Sequence, residues 1–114
     1  MKLLTLLVTI TTAQASEFPL ATANRIADAI WTAEGGHKAS TPYGVRNVRD
    51  PIKARRIVLN IIQEEWRAYE LRMEAGWESR SFIEALGSRY CPPHVCELNR
   101  NWVRNVSHHY RKLK

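Results

Sequence analysis

Apolar residues recur every three or four positions along four stretches of the chain, the spacing of one face of an α-helix. The first stretch begins at Leu20 or Thr22 and ends at Glu34, and the others cover about residues 51–75, 82–89 and 98–113. Residues 35–49 lack this period, and only Tyr43-Gly44-Val45 has strand-like character. The sequence therefore predicts a small, mainly α domain with a short irregular or β segment after the first helix.

Local capping signals support these helix boundaries. Gly35-Gly36 follows the first helix directly and is expected to end it. Asp50-Pro51 places an N-cap residue before a proline at the first helical position of the long second helix. Ser81 and Glu84 have the spacing of a capping box, which predicts the start of the third helix.

Glu34 occupies an unusual position, because it ends the apolar stripe of the first helix. The stripe lies four, seven, eight and eleven residues earlier, at Ile30, Ala27, Ile26 and Ala23. A carboxyl group partly surrounded by apolar groups has a raised pKa, so it can hold a proton near neutral pH and act as a general acid. The alternative is a helix-terminal Glu that extends into water, although the helix dipole disfavours an anion there. The residue pattern alone leaves both interpretations open.

The first fifteen residues have the pattern of a secretory signal peptide. A basic Met1-Lys2 start precedes an apolar run from Leu3 to Ile10, and Ala13-Gln14-Ala15 matches an Ala-x-Ala cleavage site. The alternative is a membrane anchor, but the run is far shorter than the roughly 20 apolar residues of a spanning helix. We therefore expect a signal peptide at 1–15 and one secreted or periplasmic domain at 16–114, without stable membrane insertion after cleavage.

The composition is that of a basic globular protein. Hydrophobic residues make up 45%, charged residues 25%, and the net charge is +6. Such a charge favours anionic partners such as cell-wall polymers, anionic lipid or nucleic acid, and export makes nucleic acid the weakest of these candidates. The sequence gives no prediction of oligomeric state.

Two cysteines, Cys91 and Cys96, enclose a short Pro-rich turn. In an oxidising compartment they are expected to pair as a disulfide. The alternative is a metal site that adds His94 and either His108 or His109, but Cys-x4-Cys is not a typical zinc spacing. We therefore expect no metal and no cofactor.

Three short segments together resemble the lysozyme-like domain of the lytic transglycosylase and lysozyme superfamily. They are Ala33-Glu34-Gly35-Gly36, Pro42-Tyr43-Gly44-Val45 and the segment 98–106 with its Trp102-Val103 pair. In that superfamily the first helix delivers a catalytic Glu, and a glycine-containing segment soon afterwards lines the saccharide cleft. The chain departs from the family in having Gly35 where a Ser is usual, and in lacking a Met-Gln pair after the glycine segment.

The resemblance implies an enzyme that cleaves the glycan strand of peptidoglycan with Glu34 as its only acid/base. Glu34 would first protonate the glycosidic oxygen and then act as a base while the muramyl 6-hydroxyl closes an anhydro ring. A two-carboxylate mechanism needs a partner, and the only candidate between Glu34 and the long helix is Asp50, which is better explained as an N-cap. The alternative function is a non-catalytic exported protein that binds cell-wall glycan or an envelope partner.

Several other side chains are candidates for binding the saccharide. Aromatic rings can stack on sugars or fix an N-acetyl group, and polar loop residues can contact substrate. Aromatic residues at helical spacing more often belong to the core, which we favour for Trp31 and Trp66. The candidate substrate-binding residues are His37, Thr41, Tyr43, Gly44, Tyr90, Asn101 and Trp102.

Overall fold

The computed structural model describes residues 18–90 and 99–113, which form four α-helices and two short 3-10 turns. The helices are α1 (Leu20–Ala33), α2 (Pro51–Glu74), α3 (Phe82–Tyr90) and α4 (Asn99–Lys112). The mainly α prediction is confirmed. None of the described helices has the length and apolar character needed to cross a bilayer. The predicted signal peptide at 1–15 and the predicted disulfide between Cys91 and Cys96 lie outside the described residues.

The segment between α1 and α2 is irregular, as predicted, but its strand-like alternative is not observed in the described part of the chain. The segment instead forms the 3-10 turns Gly36–Lys38 and Pro42–Gly44. Its peptide groups bond locally, with Gly44 N donating to the Thr41 carbonyl at 2.9 Å and Val45 N donating to the Pro42 carbonyl at 3.1 Å. Because local partners take up these donors, no ladder to a second strand forms here.

The predicted helix caps are confirmed by hydrogen bonds. The Asp50 carboxylate accepts from the Ile52 backbone N–H at 3.1 Å at the start of α2. At the start of α3, Ser81 N donates to Glu84 Oε1 at 3.1 Å, and Glu84 N donates to Ser81 Oγ at 3.2 Å, which completes a reciprocal capping box. Gly76 takes a left-handed φ of +77° just after α2, as expected for a residue that ends a helix.

The core lies between α1, α2 and α4, with α3 packed against α4 and α2. Burial of each large aliphatic side chain contributes about 1.5–3 kcal/mol to folding. The close approach of α3 and α4 depends on Gly87, because a Cβ there would lie 2.8 Å from Val103 Cγ2. The largest fully buried side chains are Ile30, Val58, Ile62, Leu86 and Val106.

A cluster of aromatic rings closes one end of the helical core. Phe18 stacks on Trp66 with ring centroids 4.4 Å apart, and Phe82 lies 5.3 Å from Trp66 and 5.4 Å from Tyr69. This cluster fits the expectation that Trp66 packs in the interior. Trp31 is partly buried and packs against the same core from the side of the irregular segment.

Candidate active site

Glu34 is the residue that ends α1. Its backbone N–H donates to the Ile30 carbonyl at 2.9 Å, and the following Gly35 takes a left-handed φ of +108°, which turns the chain away from the helix axis. All four residues of the apolar stripe that precedes Glu34 are buried: Ala23, Ile26, Ala27 and Ile30. The Glu34 side chain is partly buried, so the interpretation that it extends freely into water does not describe this structure.

Burial raises the pKa of the Glu34 carboxyl above its ordinary value of 4.5, and the adjacent Trp102 indole offsets part of that increase. Trp102 Nε1 is buried and forms no well-aligned hydrogen bond with any described residue. We therefore regard the Glu34–Trp102 contact as a weakly aligned one, and desolvation as the dominant effect. The negative end of the α1 dipole acts in the same direction as desolvation.

The Glu34 carboxyl packs directly on the backbone of Gly44. A Cβ atom at Gly44 would lie 2.8 Å from Glu34 Cδ and closer still to Oε2. Gly44 also has a left-handed φ of +71°, which side-chain-bearing residues rarely adopt. Both space and backbone conformation therefore require glycine, and the fold brings together the two segments on which the family resemblance mainly rests.

Tyr43 supports this turn from the core side. Its ring is only 5% exposed and lies 5.1 Å, centroid to centroid, from the ring of Trp31. Its backbone has a left-handed φ of +60°, an uncommon value for a bulky residue. The ring borders a surface cavity of about 280 Å³, but most of its area packs against protein. The main role visible for Tyr43 is to fix the backbone that presents Gly44.

Arg55 on α2 ties the turn to α1. Its Nη1 donates to Tyr43 Oη at 2.8 Å and lies 2.8 Å from Asp28 Oδ1, while its Nη2 donates to Asn24 Oδ1 at 2.9 Å. The Arg55 side chain is only 30% exposed and has these three partners. Those partners come from other elements, so no local signal in the sequence indicates them.

Tyr90 and Trp102 form a stacked pair beside Glu34, with ring centroids 5.0 Å apart. Burial and the Glu34 charge both raise the pKa of the Tyr90 hydroxyl, which therefore remains protonated. Tyr90 Oη and Trp102 Nε1 are buried and have no hydrogen-bond partner within the described structure. A buried polar group without a partner costs about 1–3 kcal/mol, so two next to one carboxyl are a feature that needs an explanation.

The remaining candidates differ in their relation to Glu34. Thr41 is partly buried, and its carbonyl accepts the Gly44 N–H, so it belongs to the same turn. His37 is exposed and places its ring edge on Trp31 at 5.3 Å. Asn101 is exposed, and no contact in the described residues links it to Glu34.

Two alternative chemistries involve other residues. Asp50 caps α2, as its hydrogen bond to Ile52 N shows, and it is the only second carboxylate between Glu34 and the long helix. Within residues 18–90 and 99–113, no three His, Cys, Asp or Glu side chains come together as possible metal ligands. His94 and the two cysteines of the alternative metal site lie outside those ranges, so the disulfide stays a prediction.

Described residues line three of the surface cavities. One of about 470 Å³ lies between α3 and α4, one of about 460 Å³ lies beside Phe18, and the one of about 280 Å³ borders Tyr43. Glu34 lines none of these three. The case for a site at Glu34 therefore rests on the carboxyl, the glycine beneath it and the two unpaired donors, rather than on cavity size.

No family model, curated protein or solved structure matches this chain. We therefore infer the function from the geometry and chemistry of the residues around Glu34.

Proposed function

We propose that this protein is a lysozyme-like enzyme that cleaves the β-1,4 glycan strand of peptidoglycan, with Glu34 as its single acid/base. The observation that carries the proposal is a partly buried carboxyl of raised pKa, packed on the backbone of Gly44 and flanked by buried donors. The signal-peptide pattern and the net charge of +6 support it as well, because an exported basic protein would meet the anionic cell wall.

The proposed chemistry needs two successive proton transfers at the Glu34 carboxyl. Protonated Glu34 donates its proton to the glycosidic oxygen as the bond from that oxygen to the anomeric carbon breaks. The resulting carboxylate then accepts a proton from the hydroxyl that attacks the anomeric carbon. If that hydroxyl is the muramyl 6-hydroxyl, the product is an anhydro sugar, and if it is water, the product is a reducing sugar. A carboxyl whose pKa is raised toward neutrality suits both steps.

Tyr90 and Trp102 have a defined part in this proposal. Their unpaired Oη–H and Nε1–H groups would donate hydrogen bonds to an acceptor on the saccharide, such as the carbonyl oxygen of an N-acetyl group. Binding would then satisfy two groups that are costly to leave unpaired in the free protein. In this proposal Thr41, whose carbonyl accepts the Gly44 N–H, would lie near the saccharide, whereas His37 and Asn101 have weaker claims.

The same two donors also favour a second candidate, a non-catalytic exported protein that holds glycan beside Glu34 without cleaving it. This candidate uses the buried donors and the stacked pair of Tyr90 and Trp102, but it gives no role to the raised pKa of Glu34. The two candidates therefore predict different consequences of removing the carboxyl.

The test is the Glu34→Gln variant, assayed by loss of turbidity of purified peptidoglycan and by mass analysis of the released fragments. We expect a loss of cleavage of about 10²–10⁴-fold, the usual contribution of a general acid. Glu74→Gln removes an exposed carboxyl near the end of α2 and is the matched control, which should retain full activity. The fragment masses distinguish anhydro from reducing ends, because the two differ by one water.

Two outcomes decide between the candidates. If wild-type protein releases no fragments but binds peptidoglycan in a pull-down, the binding protein is the better description. If Glu34→Gln cleaves as well as wild type, Glu34 is not the acid and the enzyme proposal fails as stated. The Gln variant is expected to be at least as stable as wild type at neutral pH, because folding there opposes the ionisation of Glu34.

A further inference from the structure

A surface cavity lies between α3 and α4, and we name it the α3–α4 groove. It has a volume of about 470 Å³, within the range of pockets that hold small ligands. Arg100 and Arg104 each lie two residues from Trp102, roughly 160° around the axis of α4 from it. The groove is therefore on a different face of α4 from the Glu34 site. Its lining residues are Arg80, Glu84, Ser88, Asn99, Arg100, Val103 and Arg104.

Most polar groups of the α3–α4 groove are already committed to protein partners. Arg80 donates to both carboxylate oxygens of Glu78, at 2.9 and 3.0 Å, and its Nη1 donates to Ser88 Oγ at 3.0 Å. The Glu84 carboxylate accepts from Ser81 N at 3.1 Å in the capping box. These contacts hold the α3 side of the groove in one geometry before any ligand arrives.

Arg100 and Arg104 are different, because neither forms an ion pair with any described residue. They are four residues apart on α4, so both residues lie on one face, with their backbone positions about 6 Å apart along the axis. Like charges at this spacing on a helix repel each other and destabilise it. An anionic ligand would turn that repulsion into two favourable contacts, because the guanidinium fork matches the two oxygens of a carboxylate.

The carboxylate of Glu84 narrows the choice of ligand. A polyanion would be repelled by it, whereas a ligand carrying both carboxylates and an amine would match the whole groove. The pKa of Glu84 is lowered by its bonds to Ser81, so the group is charged at neutral pH. Val103 adds an apolar surface between the two charged ends.

We propose that the α3–α4 groove binds a short acidic peptide that also carries a free amine, with Arg100 and Arg104 holding its carboxylates and Glu84 its amine. Such peptides are attached to the glycan of peptidoglycan as stem peptides containing a diamino acid. That the ligand is a stem peptide depends on the proposed function. That it is an acidic peptide with an amine depends only on the charged residues of the groove. This site would hold the polymer by its peptide while Glu34 acts on its sugar.

The test is calorimetric titration of the full chain with N-acetyl-L-alanyl-γ-D-glutamyl-meso-diaminopimelate, which has three carboxylates and one amine. We expect the double variant Arg100→Met/Arg104→Met to bind it at least tenfold more weakly, because two charge-assisted contacts are lost. Glu84→Gln should weaken binding about threefold, the scale of an exposed ion pair. Arg56→Met/Arg67→Met removes the same charge from exposed positions of α2 and should bind like wild type.

Two further ligands separate the proposed chemistry from simple charge attraction. The same tripeptide with its amine acetylated keeps all three carboxylates, so it should bind more weakly than the free-amine tripeptide to wild type, but equally with it to Glu84→Gln. Inorganic phosphate should not displace the tripeptide at equal concentration. Backbone NMR shifts in wild type should locate the bound tripeptide at Ser88 and Val103, which avoids any dependence on the folding of a variant.

The proposal is overturned if wild type does not bind the tripeptide, if the double variant binds it as tightly as the α2 control, or if the NMR shifts fall elsewhere. Equal competition by phosphate would also overturn it, because the groove would then select charge alone. Glycan cleavage and peptide binding are measured separately. Loss of activity in Glu34→Gln with no peptide binding would reject only this inference, and peptide binding without cleavage would reject only the enzyme.

Discussion

Two glutamates withdrawn from water, Glu34 and Glu78, have opposite environments. Glu34 ends α1 beside apolar and aromatic groups, and burial raises the pKa of its carboxyl. Glu78 lies after α2, has a side chain only 3% exposed, and lies within 2.8–3.0 Å of guanidinium nitrogens of Arg72 and Arg80. Hydrogen bonds from Arg80 and Arg72 lower the pKa of Glu78 to about 2.

This difference shows that removal from water does not by itself determine the protonation state of a carboxyl group. Little of the Glu78 side chain is exposed, yet the carboxyl stays ionised because two guanidinium groups replace the water it lost. Glu34 has no cationic partner among the described residues, and its neighbours Tyr90 and Trp102 offer only neutral donors. The first environment is typical of a structural ion pair, and the second is typical of a group that exchanges a proton.

The largest change to the Glu34 environment is expected from Gly44→Ala. The new methyl group would occupy the position of the Glu34 carboxyl, and an alanine at a φ of +71° costs about 1–2 kcal/mol. We expect glycan cleavage to fall about 100-fold, the scale of a misplaced catalytic group.

Gly76→Ala is the matched control for this substitution. Gly76 has a similar φ of +77°, but no atom lies within 4 Å of its Cβ position. It should lose similar stability in urea unfolding and keep its activity. Equal activities of the two alanine variants would show that contact with Gly44 does not matter for the Glu34 carboxyl.

Arg55→Met should produce the next largest effect, through the turn that carries Gly44. It removes the hydrogen bonds to Tyr43 Oη and Asn24 Oδ1 and the ion pair with Asp28, so we expect a loss of about 2 kcal/mol in the free energy of unfolding. Arg56→Met, at the exposed neighbouring position, should change that free energy by less than about 0.5 kcal/mol. Similar losses in both variants would mean that the network of Arg55 does not stabilise the fold.

The smallest effect is expected from Glu78→Gln, which should lower the free energy of unfolding above pH 4.5 and lose that effect in acid. The pKa of Glu78 in the folded protein, about 2, is below its ordinary value of 4.5. The ionised group therefore stabilises the fold above pH 4.5, and this contribution is lost as the pH falls toward 2. The free energy of unfolding of the Gln variant should vary less with pH across this window than that of wild type. Parallel curves would contradict the assigned ion pairs.

Features set by local interactions could be predicted from the sequence. The N-cap at Asp50, the capping box of Ser81 and Glu84, and the end of α1 before Gly35 involve residues close in sequence, and the predicted boundaries agree with the structure within a few residues. The strand-like interpretation of Tyr43-Gly44-Val45 failed because the residue types alone do not indicate positive φ at both Tyr43 and Gly44.

The contacts that define the candidate site depend on tertiary packing and could not be read from residue spacing. Glu34 was identified because its apolar stripe is continuous with the helix. Only the packing of α1 against α4 and α2 shows that Trp102 is the aromatic residue beside Glu34 and that Arg55 contacts Tyr43.

The most direct test of the central claim is a carboxyl-carbon NMR titration of the full-length wild-type chain, following Glu34 and Glu78 in one sample. The account predicts a midpoint above 4.5 for Glu34, because its surroundings disfavour the anion, and a midpoint of about 2 for Glu78. A Glu34 midpoint at or below 4.5 would contradict the account, since the carboxyl would then lack the retained proton on which the proposed chemistry depends.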